Sequence, residues 1–167
     1  MRFDPHLDAE SGPNIDHLLR ANFPTEFEAN LVDILRKSRR MCAEHGLWDK
    51  GALVGYVGYS PVRIEGMDTK RQIWGLGPMV IDAGHQRQGH GKHFLEESLD
   101  YIEVDAVVLL GHVEFYSRQG FRPAIEFGLR YGEDDTRESA FFAMECWKGA
   151  LEGHSGRVLY EDVFYRE

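Results

Sequence analysis

Between Ile73 and Ile102 the chain places residues in a pattern suited to holding a phosphate. An apolar run, Ile73-Trp74-Gly75-Leu76-Gly77-Pro78-Met79-Val80-Ile81, reads as a buried strand. The polar turn Asp82-Ala83-Gly84-His85 follows, then Gln86-Arg87-Gln88-Gly89-His90-Gly91-Lys92. Beyond that the period changes to helical, with Phe94, Leu95, Ser98, Leu99 and Ile102 on one face and Glu96, Glu97 and Asp100 on the other. The first turn of a helix has unpaired N–H groups and a partial positive charge, and glycines let an anion approach that backbone closely. Two familiar phosphate loops do not fit. Lys92 is followed by His93, so no hydroxyl is placed for magnesium, and no third glycine stands at position 94 to complete a dinucleotide fingerprint.

What remains, Gln86-x-x-Gly89-x-Gly91 between a strand and a helix, resembles the acetyl-CoA signature of GNAT-type N-acetyltransferases, Gln/Arg-x-x-Gly-x-Gly/Ala. A second stretch, Tyr116-Ser117-Arg118-Gln119-Gly120-Phe121, is similar to the Tyr-x-x-x-Gly-Phe that these proteins carry after their fifth strand. The tail, Gly149-Ala150-Leu151 and Ser155-Gly156-Arg157-Val158-Leu159-Tyr160, resembles the C-terminal extension of one bacterial subgroup. The resemblance covers nearly the whole chain. It implies an α/β protein of the GNAT fold: a mixed, mostly antiparallel sheet, splayed between the family's fourth and fifth strands, with helices on both faces.

The resemblance also implies roles. The cofactor contacts would be Gln86, Arg87, Gln88, Gly89, His90, Gly91 and Lys92, whose backbone N–H groups from Arg87 on would hold the CoA pyrophosphate. Backbone groups of Met79, Val80 and Ile81 would bind the pantetheine arm. Acetyl-CoA would serve as co-substrate, attacked directly by the primary amine of a small molecule. Such a reaction needs a neutral amine, a polarised thioester carbonyl and a proton for the departing thiolate. Tyr116 matches the tyrosine that supplies the proton in many family members. Many members also place a glutamate on the fourth strand as base, but Ile73 to Met79 contains no carboxylate. His112 is the first candidate in its place, because a histidine titrates near 6.5; Glu114 and a water chain are the others. Two further readings remain open: an acyl-CoA-binding sensor without turnover, and an acetyltransferase for protein N-termini or lysines.

Composition narrows the partners. A net charge of −9 over 167 residues argues against nucleic acid, which requires a basic surface, and would attract a cationic amine. No apolar run approaches the roughly 20 residues of a membrane helix. Cys42 and Cys146 are the only cysteines, and no signal-peptide core is seen, so the chain reads as cytoplasmic with reduced thiols. His85, His90 and His93 cluster without the cysteines or paired carboxylates that would complete a metal site, so no metal is expected. No Gly-x-Ser-x-Gly elbow marks a hydrolase. Trp147 and the aromatic tail could cover a homodimer contact.

The supporting elements follow in order over one expected domain, residues 1–167. Arg2-Phe3 begins a first strand. A helix capped by Gly12 or Asn14 carries Ile15, Leu18, Leu19 and Phe23, and a second, capped by Thr25, carries Phe27, Leu31, Ile34 and Leu35 up to the basic run 36–40. Met41 to Glu44 is a short strand, Gly46 to Gly51 a hairpin turn, and Ala52 to Ser60 a longer strand. Ile64 to Arg71 reads as a surface loop. Asp105 to Gly111 is a buried strand parallel to 73–81, and a short helix after it ends at Gly120. Segments 122–127 and 140–147 supply a closing strand pair around a charged loop at 132–138.

Overall fold

The computed structural model describes residues 1–132 and 135–166, so Glu133 and Asp134 of the expected charged loop lie outside the described residues. In chain order the elements are β1 (Arg2–Asp4), α1 (Gly12–Asn22), α2 (Phe27–Lys37), β2 (Ala43–Asp49), β3 (Ala52–Pro61), β4 (Arg63–Ile64), β5 (Ile73–Ile81), α3 (His90–Tyr101), β6 (Ala106–Leu110), α4 (Val113–Tyr116), β7 (Arg122–Pro123), β8 (Leu129–Tyr131), β9 (Phe141–Glu145) and β10 (Gly156–Leu159). They gather into two compact units interleaved along the chain. One takes residues 1–59, 77–102 and the segment from Val163; the other takes 60–76 and 103–162. Strand β5 contributes to both. Among the described residues no helix is long and apolar enough to cross a membrane.

In the first unit β1, β2 and β3 form an antiparallel ribbon. The hairpin turn is Lys50-Gly51 alone, with φ of 49° and 85°. Positive φ at both central residues is the twist that two-residue hairpins require. The broader turn expected over 46–51 is therefore corrected, since Gly46 to Asp49 are strand. Gly46 is there for close approach: a Cβ on it would meet Leu7 Cδ2 at 2.8 Å and Leu53 Cδ1 at 2.9 Å.

Helices cover both faces of this ribbon. Ile15, Leu18 and Leu19 of α1 and Ala29 and Val32 of α2 pack with Leu53, Tyr56 and Val80. Phe94 of α3 reaches the other face, where it stands 3.5 Å from the place a Cβ on Gly55 would occupy. Helix α1 is capped at Ser11 rather than at Gly12 or Asn14. Glu26 rather than the expected Thr25 is the N-cap of α2; Thr25 stands one residue earlier, its Oγ1 accepting from Phe27 N at 3.3 Å. Ile34, expected inside, is 46% exposed. The buried arc of α2 keeps the expected Leu31 and Leu35, which pack on Val163 near the end of the chain, and adds Ala29 and Val32.

Beneath α3 lies a polar contact with an energetic consequence. His45 of β2 is 1% exposed. Its Nδ1 is 2.8 Å from Ser98 Oγ, which is also 2.6 Å from the Tyr59 hydroxyl. Burial, reinforced by the His6 ring and opposed by Asp4, pushes the imidazole down to about 4. The unfolded chain, titrating near 6.5, therefore takes up its proton first as pH falls. The stability held by neutral His45 is complete above about pH 6.5 and drains away as pH falls toward the folded value. Urea unfolding at pH 5 should show about 2 kcal/mol less stability than at pH 7 from this residue. A His45→Gln variant, which keeps a partner for Ser98, should show a flatter dependence; an equal slope in the two proteins would assign the loss elsewhere.

The second unit holds a mixed sheet. Ile73–Leu76 of β5 pair in parallel with Ala106–Leu109 of β6, β6 pairs antiparallel with β9, and β9 with β7. The four β6 residues Ala106 to Leu109 are fully buried, which is why they read as an unbroken apolar run. Parallel pairing stops at Leu76, ahead of Gly77 (φ 150°) and the cis peptide Gly77-Pro78. The segment 122–127 is strand only at Arg122–Pro123, and Ala124–Phe127 turn as a 3-10 helix. A small sheet not foreseen from the sequence unites β4, β10 and β8, so part of the expected 64–71 surface loop and of the tail is paired.

Candidate active site

The glycine-bearing loop is held by groups from four places in the first unit. Val54 lies at the β2–β3 irregularity, and its carbonyl accepts from Asp82 N at 2.8 Å. Asn22, the last residue of α1, accepts from Ala83 N at 2.8 Å and donates to Asp82 Oδ1 at 3.4 Å. The Asp82 carboxylate also accepts from Gly84 N at 3.1 Å and faces the His85 ring, whose other nitrogen is 3.3 Å from Asp49 Oδ2. Burial raises the Asp82 pKa, but the hydrogen bonds from His85, Asn22 and Gly84 outweigh it and hold the carboxyl below its usual range. Gln86 donates its side-chain amide to Ile81 O at 2.7 Å, and Gln88 donates to Gly84 O at 3.3 Å.

On that base the backbone turns outward. Arg87 (φ 59°) and Gly89 (φ 83°) are left-handed, and Gly89 is the N-cap of α3. Among the described residues, the N–H groups from Arg87 to Lys92 donate to no backbone carbonyl outside α3; the cap bond is His93 N to Gly89 O at 3.3 Å. Such a run of outward N–H groups at a helix head is a concavity for an anion. Nothing lies within 4 Å of where a Cβ on Gly89 would point. Lys92 and His93 stand on the first turn, 3.8 and 3.5 Å from Glu96. At the end of β5, Val80 and Ile81 bury their side chains, so the backbone is what they have to offer a ligand.

Tyr116 belongs to the second unit. It ends α4, 9% exposed, with its ring edge-on to Phe115 at 4.9 Å and Phe121 at 5.7 Å. Burial pushes its hydroxyl up to about 12. The sequence did not single out Gly111, yet a Cβ there would run into the Tyr116 ring, with Cδ2 at 2.6 Å. His112 is exposed and caps α4 through its carbonyl, which accepts from Tyr116 N at 3.1 Å; Glu114 is exposed in the first turn. Trp147 is half-exposed, but its Nε1 donates to Asp105 Oδ1 at 2.9 Å and Arg71 lies over its ring at 4.5 Å.

A strand paired in parallel over Ile73–Leu76, followed by an open glycine loop at a helix head, suits an acyl-CoA-dependent transferase, and the chain belongs to the acetyltransferase (GNAT) family. The family's model matches residues 12–121. The N-acetyltransferase YhbS of Escherichia coli strain K12 is 37% identical, across 99% of this chain and 98% of its own. The crystal structure of YhbS from Escherichia coli in complex with CoA has a TM-score of 0.92 at 34% identity, covering 99% of this chain and 92% of that one. A GNAT family acetyltransferase from Brucella melitensis in complex with acetyl-CoA shares the fold at a TM-score of 0.78 and 21% identity, covering 98% and 97% of the two chains.

Proposed function

We propose that residues 1–167 act as one acetyltransferase domain that transfers the acetyl group of acetyl-CoA to the primary amine of a small molecule. The observation that carries this reading is the array of outward N–H groups from Arg87 to Lys92, in a chain similar end to end to a protein whose structure holds CoA. The array takes the pyrophosphate, with the Lys92 ammonium adding charge. Gln86 acts on the loop itself, tying its start to Ile81 O. Backbone amides of Met79 to Ile81 bind the pantetheine arm.

The amine nitrogen attacks the thioester carbonyl, a C–N bond forms and the C–S bond breaks. One proton leaves the nitrogen, and the departing sulfur receives a hydrogen bond or a proton. Tyr116 serves the sulfur, and His112, exposed at the cap of α4, takes the proton from nitrogen. The acidic chain, with a net charge of −9, draws cationic amines toward it. Its setting is the cytoplasm, in keeping with Cys42 and Cys146, neither of which is in a disulfide. The lack of a carboxylate from Ile73 to Met79 favours one second reading, acyl-CoA binding without turnover.

Thiol release from acetyl-CoA, followed with a panel of small primary amines and with lysine-containing peptides bearing free N-termini, separates the possibilities. Steady release with at least one small amine is the expected result. Tight binding with no release would favour the sensor, and release with the peptides alone would move the acceptor to proteins.

A further inference from the structure

The first unit contains a cleft of about 750 Å³ between the start of α1, the end of α2 and the start of β2. It is lined by the first half of α1, up to Asp16, about 9 Å along that helix from Asn22, which holds the glycine loop. Its volume is in the range of small-molecule sites. Leu7, Pro13, Val32 and Met41 supply much of an apolar lining.

The charged groups around it are unevenly satisfied. Each acid has a partner: Asp8 accepts from Ser11 N and Oγ, both at 2.9 Å, and Asp16 accepts from Arg20 Nε at 3.0 Å. Asp33 takes Lys37 at 2.6 Å, and Glu44 takes the Tyr56 hydroxyl at 2.8 Å and Arg36 Nε at 3.4 Å. The cations are not all satisfied. Arg36 donates Nη2 to Asp8 O, but its Nη1 is buried with no hydrogen-bond partner. A Cβ on Gly12 would stand 3.5 Å from that nitrogen, in ordinary contact, so Arg36 is closed in beneath the start of α1.

Among the described residues the Arg39 side chain meets no carboxylate, and its backbone is unusual. Helix α2 closes with Arg40 N bonded to Leu35 O at 2.8 Å and Arg39 N to Arg36 O at 3.1 Å. This is the motif whose left-handed residue is ordinarily glycine. Here it is Arg39, at φ 56°, a conformation that is unfavourable for a residue with a Cβ. The cost brings a guanidinium to the rim of the cleft.

We infer that this cleft binds a small amphipathic carboxylate, its anionic end on Arg39 at the rim and its apolar body against Leu7, Pro13, Val32 and Met41. A guanidinium fork suits a carboxylate. The carbonyl end of α2 and the surrounding acids disfavour the second charge of a phosphate monoester. The inference does not depend on acetyl transfer.

The test is an NMR titration of the full chain with sodium hexanoate, alongside hexylamine, hexanol and hexyl phosphate. Hexanoate should bind, shifting resonances of Gly12, Arg39 and Met41, and each of the others should bind more weakly. Arg39→Gly should weaken hexanoate roughly tenfold or more while leaving the melting temperature equal or higher, because glycine suits the left-handed site. Gly12→Leu should block the cleft without changing its charge. The inference is overturned if hexanoate does not bind, if another probe binds as tightly, or if Arg39→Gly leaves hexanoate affinity intact.

Discussion

Replacing Gly89 with glutamate should weaken acetyl-CoA binding roughly ten-thousandfold. Two costs combine. A side chain at φ 83° carries about 1–2 kcal/mol of backbone strain. A carboxylate set into the proposed pyrophosphate cradle adds like-charge repulsion, about 4 kcal/mol for unit charges 4 Å apart near a protein surface. The open space around Gly89 adds no clash to that strain, so the melting temperature should fall by only a few degrees. Gly89→Ala isolates the backbone part and should cost roughly tenfold. Calorimetric titration with acetyl-CoA measures both variants. A Gly89→Glu protein that binds as tightly as the parent would remove the loop from the pyrophosphate site.

The parts of the fold that read correctly from the sequence are those whose burial leaves a pattern. Strand β5 occupies the expected Ile73–Ile81, and β6 lies within the expected 105–111, because both are apolar runs. Helix α3 keeps Phe94, Leu95 and Ser98 inside, but stops at Tyr101, since Ile102 is extended (ψ 145°). The errors have equally local causes. Gly46 resembles a turn residue, yet it stands mid-strand because Leu7 and Leu53 leave no room for a Cβ. Strands β4 and β10 are two and four residues long, too short for a period, and their register comes from pairing Ile64 with Val158 far along the chain.

The candidate site divides in the same way. Gly89 and the Asp82-x-Gly84 turn were legible, because left-handed backbone and side-chain-to-backbone turns demand particular residue types. Asn22 was not: it meets Ala83 from 61 residues away, and nothing near it in sequence announces that contact. Gln86 matches the motif at the expected place, and its amide donates to Ile81 O, a contact that motif spacing does not foretell. The burial of Tyr116 and the small residue facing its ring at Gly111 depend on packing between β6 and α4, which pattern reading does not reach.

That burial decides what Tyr116 can do. With its hydroxyl pushed up to about 12 and a thiol near 8.5, complete proton transfer to the sulfur would be uphill by about 5 kcal/mol. Donating a hydrogen bond to the developing thiolate avoids that cost, and losing a bond to a charged group removes about 1.5–3 kcal/mol. Tyr116→Phe should therefore lower kcat by roughly tenfold to a hundredfold and leave KM for acetyl-CoA unchanged, because the bond strengthens only as charge appears on sulfur. The raised value also predicts that no alkaline decline up to about pH 10 comes from tyrosine ionisation, so the parent and the Phe variant should keep parallel profiles there. Gly111→Ala tests the same group from behind, since its methyl displaces the ring. It should reproduce the kcat loss with some loss of stability, and Gly111→Ala in the Tyr116→Phe background should lower kcat little further. A large rise in KM for acetyl-CoA with kcat intact would instead make Tyr116 a binding group that acts before any charge develops on sulfur.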